Sequence, residues 1–274
     1  MKIIFLVAGD SIYALLHQRL LLGLMLASLA LTIFFSVVMS KARNQITQSF
    51  SDNQPMTNSF AFGGTNQMSQ ADQRKFREQV EQASSGIQAG FYGITSFGGS
   101  LVALFIFSTA VASEIRRGTI RLTLSKPVSR HQFLLGKYLG GVAVMAGYAL
   151  VSGVAILIFS QTQNVELNSA IKWSPWLMFC RQLMLGSLAM LLSLFMHPII
   201  ASVLAYFAGN GFYSLHNPLY YLLPGYQDFN VFFKVLEGSL INFKDVVYLS
   251  LYATDFVIIM LLLALWRFRT KELV

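Results

Sequence analysis

Charged residues are scarce in this chain. They make up 12% of its 274 residues, and the mean hydropathy is +0.57, whereas a soluble domain carries about 25% charged residues. So little charge cannot cover the surface of a soluble globule, which excludes the soluble classes and predicts an integral membrane protein. Lys and Arg still exceed Asp and Glu by 20 to 12. Such an excess is typical of loops that flank membrane spans and face anionic lipid or a cytosolic partner, so we expect no nucleic-acid partner.

Cysteine, metal-ligand and nucleotide motifs are also missing. The one cysteine, Cys180, excludes an intrachain disulfide, and the four histidines lack the spacing of metal ligands. A phosphate-binding loop needs Gly-x-x-x-x-Gly-Lys-Ser/Thr, but around Gly136–Lys137 its first glycine is replaced by His131 and its hydroxyl residue by Tyr138. We therefore expect no catalytic residue, no metal and no cofactor in this chain.

Long apolar stretches are what the sequence does have, and they predict six transmembrane helices of about 20 residues each. No charge occurs between Arg181 and Asp228, an interval too long for one span, and Pro198 is predicted to break it. The predicted spans are residues 20–40, 93–112, 139–159, 176–196, 199–215 and 246–266. The expected fold class is an all-α membrane protein in which residues 20–274 form one six-span domain.

The orientation follows from basic residues in short loops. With the N-terminus inside, 11 of the 20 Lys and Arg fall on the inner face, which is close to an even division. Segment 113–137 decides it, because its basic residues lie directly beside two spans: Arg116, Arg117, Arg121, Lys126, Arg130 and Lys137. Both termini are therefore predicted to be cytoplasmic.

Three segments outside the spans have patterns of their own. Residues 1–19 carry apolar side chains at helical spacing, which predicts an amphipathic helix along the inner membrane surface. Residues 41–92 form a polar outer loop whose second part is either a short amphipathic helix beginning near Ser69 or a solvated loop. Residues 216–245 are aromatic and interrupted by prolines, which predicts an outer, re-entrant-like hairpin.

Segment 113–137 carries more signals for a helix start, a bend and a helix stop than a simple inner loop requires. Glu114 is expected at the N-terminal end of a short helix, where its charge suits the helix dipole. Gly118 allows a bend and Pro127 stops the helix. The segment resembles the signature of the permease subunits of ABC exporters whose ATPase is a separate chain, as does the tail Trp266–Leu273. The matching residues are Glu114, Gly118, Thr119, Leu124, Ser125, Pro127, Val128, Ser129, Arg130, Gly136 and Lys137.

The resemblance implies a type V ABC exporter-like fold in which 113–137 is a coupling loop docked on a cytosolic ABC ATPase subunit. The expected docking residues are those of the motif, without Gly136, together with Arg116, Arg117 and Arg121. ATP and magnesium would be bound by that ATPase. The permease would pair with a second copy or a close relative, surrounded by the lipid of a bacterial plasma membrane. An accessory protein on the outer face is a further candidate partner.

Two ionisable residues lie inside predicted spans. Asp255 is near the middle of the sixth, where a carboxylate costs at least about 2.5–3.5 kcal/mol on insertion scales. It is either on a translocation path or hydrogen-bonded to a neighbouring helix. Arg181 is predicted to snorkel to the outer headgroups. The glycines from Gly86 to Gly99 favour close helix packing, with a gating hinge as the alternative. An intramembrane enzyme using Asp255 and a histidine, and a membrane assembly factor without transport, are the competing functions.

Overall fold

Every regular element in the described part of the chain is an α-helix. The computed structural model describes residues 2–16, 70–117, 129–163, 169–210, 225–237 and 239–270, with most of 23–38 and Lys41; in places, among them 70–84 and 116–117, it describes the backbone alone. The helices are α1 Lys2–Leu16, α2 Gln70–Arg117, α3 Arg130–Gln163, α4 Ser169–Ser193, α5 Pro198–Asn210, α6 Val231–Leu236 and α7 Phe243–Thr270. The all-α prediction is confirmed for these residues.

Four helical stretches are long and apolar enough to cross a membrane: Ser85–Ile115, Arg130–Ile158, Ser169–Ser193 and Phe243–Thr270. The chain is therefore a multi-pass membrane protein. These stretches correspond to the second, third, fourth and sixth predicted spans. Helical residues also occupy the places of the other two, at Met25–Phe34 and Pro198–Ala208, but both stretches are shorter. At 1.5 Å per residue, α5 covers about 20 Å of a hydrocarbon core about 30 Å thick. A count of six spans stays a prediction.

Helix α2 is one continuous rod of 48 residues, about 72 Å long. The sequence predicted two elements here, a short outer helix or loop and then a span beginning at Gly93. A solvated loop is wrong for residues 70–92, and the helix passes Gly86 and Gly93 without interruption. Residues 42–69 of the predicted outer loop lie outside the described residues.

The predicted break before Pro198 is confirmed. Helix α4 ends at Ser193, residues 194–196 form a turn, and α5 begins at the proline. The first hydrogen bond across the new helix start is donated by the Ala201 amide to the His197 carbonyl at 2.9 Å. Proline suits the first position of a helix because the N–H it lacks would have no partner there.

Helix α4 is the centre of the bundle. It packs against α2, α3, α5, α6 and α7. Within its apolar window 72% of the residues are buried, compared with 17% in α7. Glycines allow the closest approaches: a Cβ at Gly186 would lie 2.1 Å from the Phe107 ring, and one at Gly98 would lie 2.6 Å from the Ser28 Cβ. The prediction of close packing for the glycines from Gly86 to Gly99 is confirmed at Gly98, whereas nothing lies within 4 Å of a Cβ at Gly86. Gly186 was not part of that prediction.

The N-terminal helix α1 packs along α3. Its buried face is formed by Val7, Ala8, Ser11 and Leu15, a helical stripe that agrees with the predicted periodicity. Phe5 and Tyr13 on the other side are exposed. The helix is confirmed, and its position on the inner membrane surface stays a prediction.

The described part of the predicted hairpin, from Gly225 onwards, packs on the bundle. Helix α6 lies against α2 and α4. The Tyr92 hydroxyl donates to the Phe229 carbonyl at 3.1 Å and accepts from the Val231 amide at 3.3 Å. Tyr226 and Phe229 are fully buried. Residues 216–224 lie outside the described residues.

Replacing Gly186 with Ala should destabilise the protein, because the added methyl group meets the ring of Phe107, which is itself fully buried. Overpacking of this kind costs about 1–3 kcal/mol. The matched control is Gly147→Ala in α3, where nothing lies within 4 Å of the new Cβ. Thermal unfolding of both purified variants in detergent gives the comparison. Equal midpoints would show that α2 and α4 are not in this close contact.

Candidate functional site

The start of α3, within segment 113–137, carries the Gln half of a capping box. The Ser129 amide donates to the Gln132 Oε1 at 3.2 Å, and the Phe133 amide donates to the Ser129 carbonyl at 3.0 Å. The Ser129 hydroxyl lies 3.0 Å from the His131 Nε2. A Gln three residues after a Ser can accept from the amide of that Ser, which would otherwise lack a partner at a helix start. The chain therefore leaves the loop in a defined direction.

An ion pair between Glu114 and Lys137 joins the two helices that flank the loop. Glu114 lies in the last turn of α2 and Lys137 two turns into α3. Their side chains are 22% and 13% exposed, so water screens the pair less than a surface pair. The Lys137 ammonium also lies 5.7 Å from the centre of the Phe133 ring. These contacts hold the ends of the loop together.

The expected position of Glu114 was wrong. It lies near the C-terminal end of the long helix α2, because that helix continues from its apolar stretch as far as Arg117. An acidic residue there is disfavoured by the helix dipole, and pairing with Lys137 offsets this cost. The bend at Gly118 and the stop at Pro127 stay predictions, since residues 118–128 lie outside the described residues. The side chains of Arg116 and Arg117 are not described either.

The C-terminal end of α7 meets the same place. The Arg130 guanidinium donates to the carbonyls of Phe268 and Arg269, at 3.1 Å each. The Phe133 and Phe268 rings are stacked with centres 6.2 Å apart. We call Glu114, Ser129, Arg130, Phe133 and Lys137, with Phe268 and Arg269, the loop base. The loop motif and the tail motif were read separately in the sequence, and the structure brings them together.

Helix α1 reaches the loop base from a third direction. A Cβ at Gly136 would lie 2.7 Å from the Val7 Cβ, and one at Gly140 would lie 2.7 Å from the Ser11 Cβ. These two glycines therefore accept the backbone of α1 at close range. Gly136 belongs to the loop motif, and its contact explains why a glycine precedes Lys137. The N-terminal helix, the loop flanks and the tail thus share one end of the bundle.

A buried polar pair at mid-length of α4 was not foreseen. Arg181 is 7% exposed and donates to the Ser96 hydroxyl at 3.0 Å, so the snorkelling prediction is wrong. Gln182 is fully buried, and its amide fills the space left by Gly99, where a Cβ would come within 1.9 Å. Within the described residues neither amide atom of Gln182 has a hydrogen-bond partner. The adjacent glycines Gly98 and Gly99 were the sequence signal for this contact.

Asp255 is at mid-length of α7 and exposed on the outside of the bundle. Its face is otherwise largely apolar, with Leu251, Ile258 and Leu262 exposed beside it. The inward contacts of α7 are made by other residues, such as Ser250, whose hydroxyl accepts from the Trp176 indole at 2.8 Å. Hydrocarbon is a poor medium for a carboxylate. In the membrane this face therefore requires a polar covering that the described residues do not supply.

Comparison with known proteins yields one family match. The model of the family described as ABC-2 family transporter protein matches residues 7–172, which is more than half of the chain. The matched range extends from within α1 to the first turn of α4, so it contains segment 113–137 and all of α2 and α3. No curated protein gives a significant match.

The Glu114–Lys137 pair should stabilise the loop base by more than an exposed ion pair does. We expect a double-mutant cycle with Glu114→Gln and Lys137→Met to give a coupling energy above about 1 kcal/mol, the upper value for exposed pairs. The matched control is Lys244→Met, an exposed lysine at the start of α7, which should change stability by less than about 0.5 kcal/mol. Unfolding in mixed micelles gives the free energy of unfolding of each variant. A coupling energy of zero would refute the pairing.

Proposed function

Because this chain belongs to the ABC-2 family of transporter proteins, we propose that it is the permease subunit of an exporter whose ATPase is a separate chain. The family is a membrane component of ABC transporters. Export is the direction that the coupling-loop motif implies. A bacterial plasma membrane is the proposed location.

The loop base is the observation that carries this proposal. A loop that is displaced by a partner moves the membrane helices only if its ends are firmly joined to them. Here the Glu114–Lys137 ion pair and the capping box at Ser129 join both loop ends directly to α2 and α3. The residues proposed to contact the ATPase are Glu114, Arg116, Arg117, Gly118, Thr119, Arg121, Leu124, Ser125, Pro127, Val128, Ser129, Arg130 and Lys137.

The energy source is proposed to be the partner, which would bind ATP and magnesium. The sequence around Gly136–Lys137 departs from a phosphate-binding loop at two essential positions. Gly136 lies against α1, where even a methyl group would not fit. There is no space for a phosphate group beside Gly136. This supports the proposal that the chain does not hydrolyse ATP itself.

A second copy of the chain, or a close relative, is proposed to cover the Asp255 face of α7. A dimer would remove this carboxylate from lipid and place it on a water-filled path between the two copies. The enzyme alternative has less support. His131 follows Arg130, which contacts Phe268 at the end of α7, whereas Asp255 is 13 residues before Phe268, or about 20 Å along the helix.

Lipid is the proposed occupant of another outward-facing site. A groove of about 410 Å³ lies between α2 and α5, lined almost wholly by apolar side chains such as Phe97, Phe105, Ile199 and Phe207. An acyl chain matches both this lining and the medium around a multi-pass protein.

The two ends of α2 provide a test of ATPase docking. Arg117→Glu places a negative charge in the loop, whereas Arg74→Glu makes the same change in the first turns of the same helix, at its other end. Loss of a buried charged contact costs about 2–5 kcal/mol of binding. Arg117→Glu should therefore reduce ATPase co-purification at least about tenfold, and Arg74→Glu should leave it unchanged. The measurement is the amount of ATPase retained by the tagged chain at equal expression.

Full ATPase retention by Arg117→Glu would contradict the docking role of the loop. Robust ATP hydrolysis by the purified chain alone would contradict the permease assignment itself.

The Asp255 proposal predicts water at mid-membrane. In a Cys180→Ala background, Asp255→Cys should react with a charged, membrane-impermeant thiol reagent, because a thiol needs water to ionise. The control is Leu150→Cys, a position in α3 that is 72% exposed and is expected to face lipid. It should react at least about tenfold more slowly, since lipid disfavours the charged thiolate that reacts. Equal, slow labelling at both positions would show that Asp255 is not on a water-filled path.

A further inference from the structure

We propose that Arg130 and Phe133 clamp the C-terminal end of α7 to the start of α3, so that a displacement of the coupling loop moves α7. The inference rests on the proposed function, because it needs an ATPase that displaces the loop. It adds a route by which that displacement reaches the exposed face of α7. Arg130 and Phe133 are positioning residues in this scheme, acting through the end of another helix.

The polar half of the clamp is the Arg130 guanidinium. One of its nitrogens donates to the Phe268 and Arg269 carbonyls, both at 3.1 Å. These carbonyls belong to the last turn of α7, which ends at Thr270. A cation at this end of a helix is favoured by the helix dipole. Arg130 thus caps a helix that is remote in sequence while standing at the first position of its own.

The apolar half is the stack of Phe133 on Phe268. Both rings are fully buried, with centres 6.2 Å apart and planes inclined by 20°. Buried aromatic pairs contribute through area and through ring geometry, so sliding one ring away from the other is opposed. The polar and apolar contacts act on neighbouring residues of α7 and on successive turns of α3. A displacement of the start of α3 therefore cannot leave the end of α7 behind without breaking both.

The loop is connected to this clamp within one turn of α3. Phe133 and Lys137 are four residues apart, and the Lys137 ammonium lies over the Phe133 ring at 5.7 Å while pairing with Glu114. Force on either end of the loop therefore reaches Phe133 through direct contacts.

Helix α7 is well placed to respond. Only 17% of its apolar window is buried, so few contacts oppose its movement along most of its length. Two of its other described contacts are near its beginning: Ser250 accepts from the Trp176 indole at 2.8 Å, and the Tyr252 ring stacks on Phe229 at 6.3 Å. A third is beside the clamp, where the Arg267 guanidinium lies 4.8 Å from the centre of the Phe195 ring. Between the contacts near its beginning and the clamp, Asp255 stands on the exposed face. A rod held near its ends transmits a displacement at one end to the residues in between.

The test compares two arginines at the same helix end. Arg130→Gln removes the cap on α7, whereas Arg269→Gln removes an exposed charge and leaves the accepting carbonyl in place. Each variant carries an environment-sensitive fluorophore on Leu262→Cys, 60% exposed and away from the clamp, with Cys180→Ala. The complex with the co-purified ATPase is examined in lipid nanodiscs, without nucleotide and after trapping with ATP and vanadate. The readouts are bound ATPase, ATP turnover and label emission.

We expect the starting chain and Arg269→Gln to show a change in emission on trapping. Arg130→Gln should lose that change and lower the stimulated ATP turnover roughly tenfold, the size expected for loss of hydrogen bonds to a charged group. Because Arg130 is also among the residues proposed to contact the ATPase, bound ATPase is measured for every variant, and turnover and emission are compared per bound ATPase. If Arg130→Gln does not assemble, Arg130→Lys keeps the charge without the guanidinium and should show a partial response.

A normal emission change in both Arg130 variants would overturn the clamp, as would the absence of any change in the starting chain that binds its ATPase. Failure of the starting chain to bind any ATPase overturns the proposed function, and this inference with it. The binding measurement thus separates the two failures.

Discussion

The contact between α2 and α4 is the constraint on which the rest of this structure depends. Inside a bilayer there is no hydrophobic effect to press helices together, so association depends on close packing and on polar contacts. Gly186 admits the Phe107 ring, Gly99 admits the Gln182 amide, and Arg181 reaches the Ser96 hydroxyl. These contacts fix the long rod of α2 against the most buried helix of the bundle.

The contact between α2 and α4 also fixes the position of the loop base. Helix α2 continues past the packed region to Glu114, and Lys137 brings α3 back beside it. Arg130 then joins the end of α7 to the same place, and α1 joins it through Gly136. Three segments far apart in sequence therefore share one end of the bundle, the end that carries segment 113–137. In a permease moved by a partner outside the membrane, contacts of this kind would connect the surface touched by the partner to several membrane helices.

Particular residues show how far sequence reasoning reached. The break at Pro198 was predictable, because proline lacks the amide that a continuing helix needs, and four predicted spans fall in apolar helices. Glu114 was placed at the wrong kind of helix end, since nothing in the local sequence shows that α2 continues to Arg117. Arg181 was assigned to the headgroups, because a single sequence does not show that Ser96 on another helix is within reach.

The sequence by itself determined that this chain is helical and crosses a membrane several times, and that the segment between its second and third predicted spans is basic. These properties depend on composition and on neighbours a few positions apart, because the lipid core imposes span length and excludes unpaired backbone. The tertiary structure alone decided which polar residues are buried, that Asp255 faces outward, and that loop and tail meet at Arg130. Those outcomes depend on helix rotation and on contacts between residues more than a hundred positions apart, which no local pattern contains.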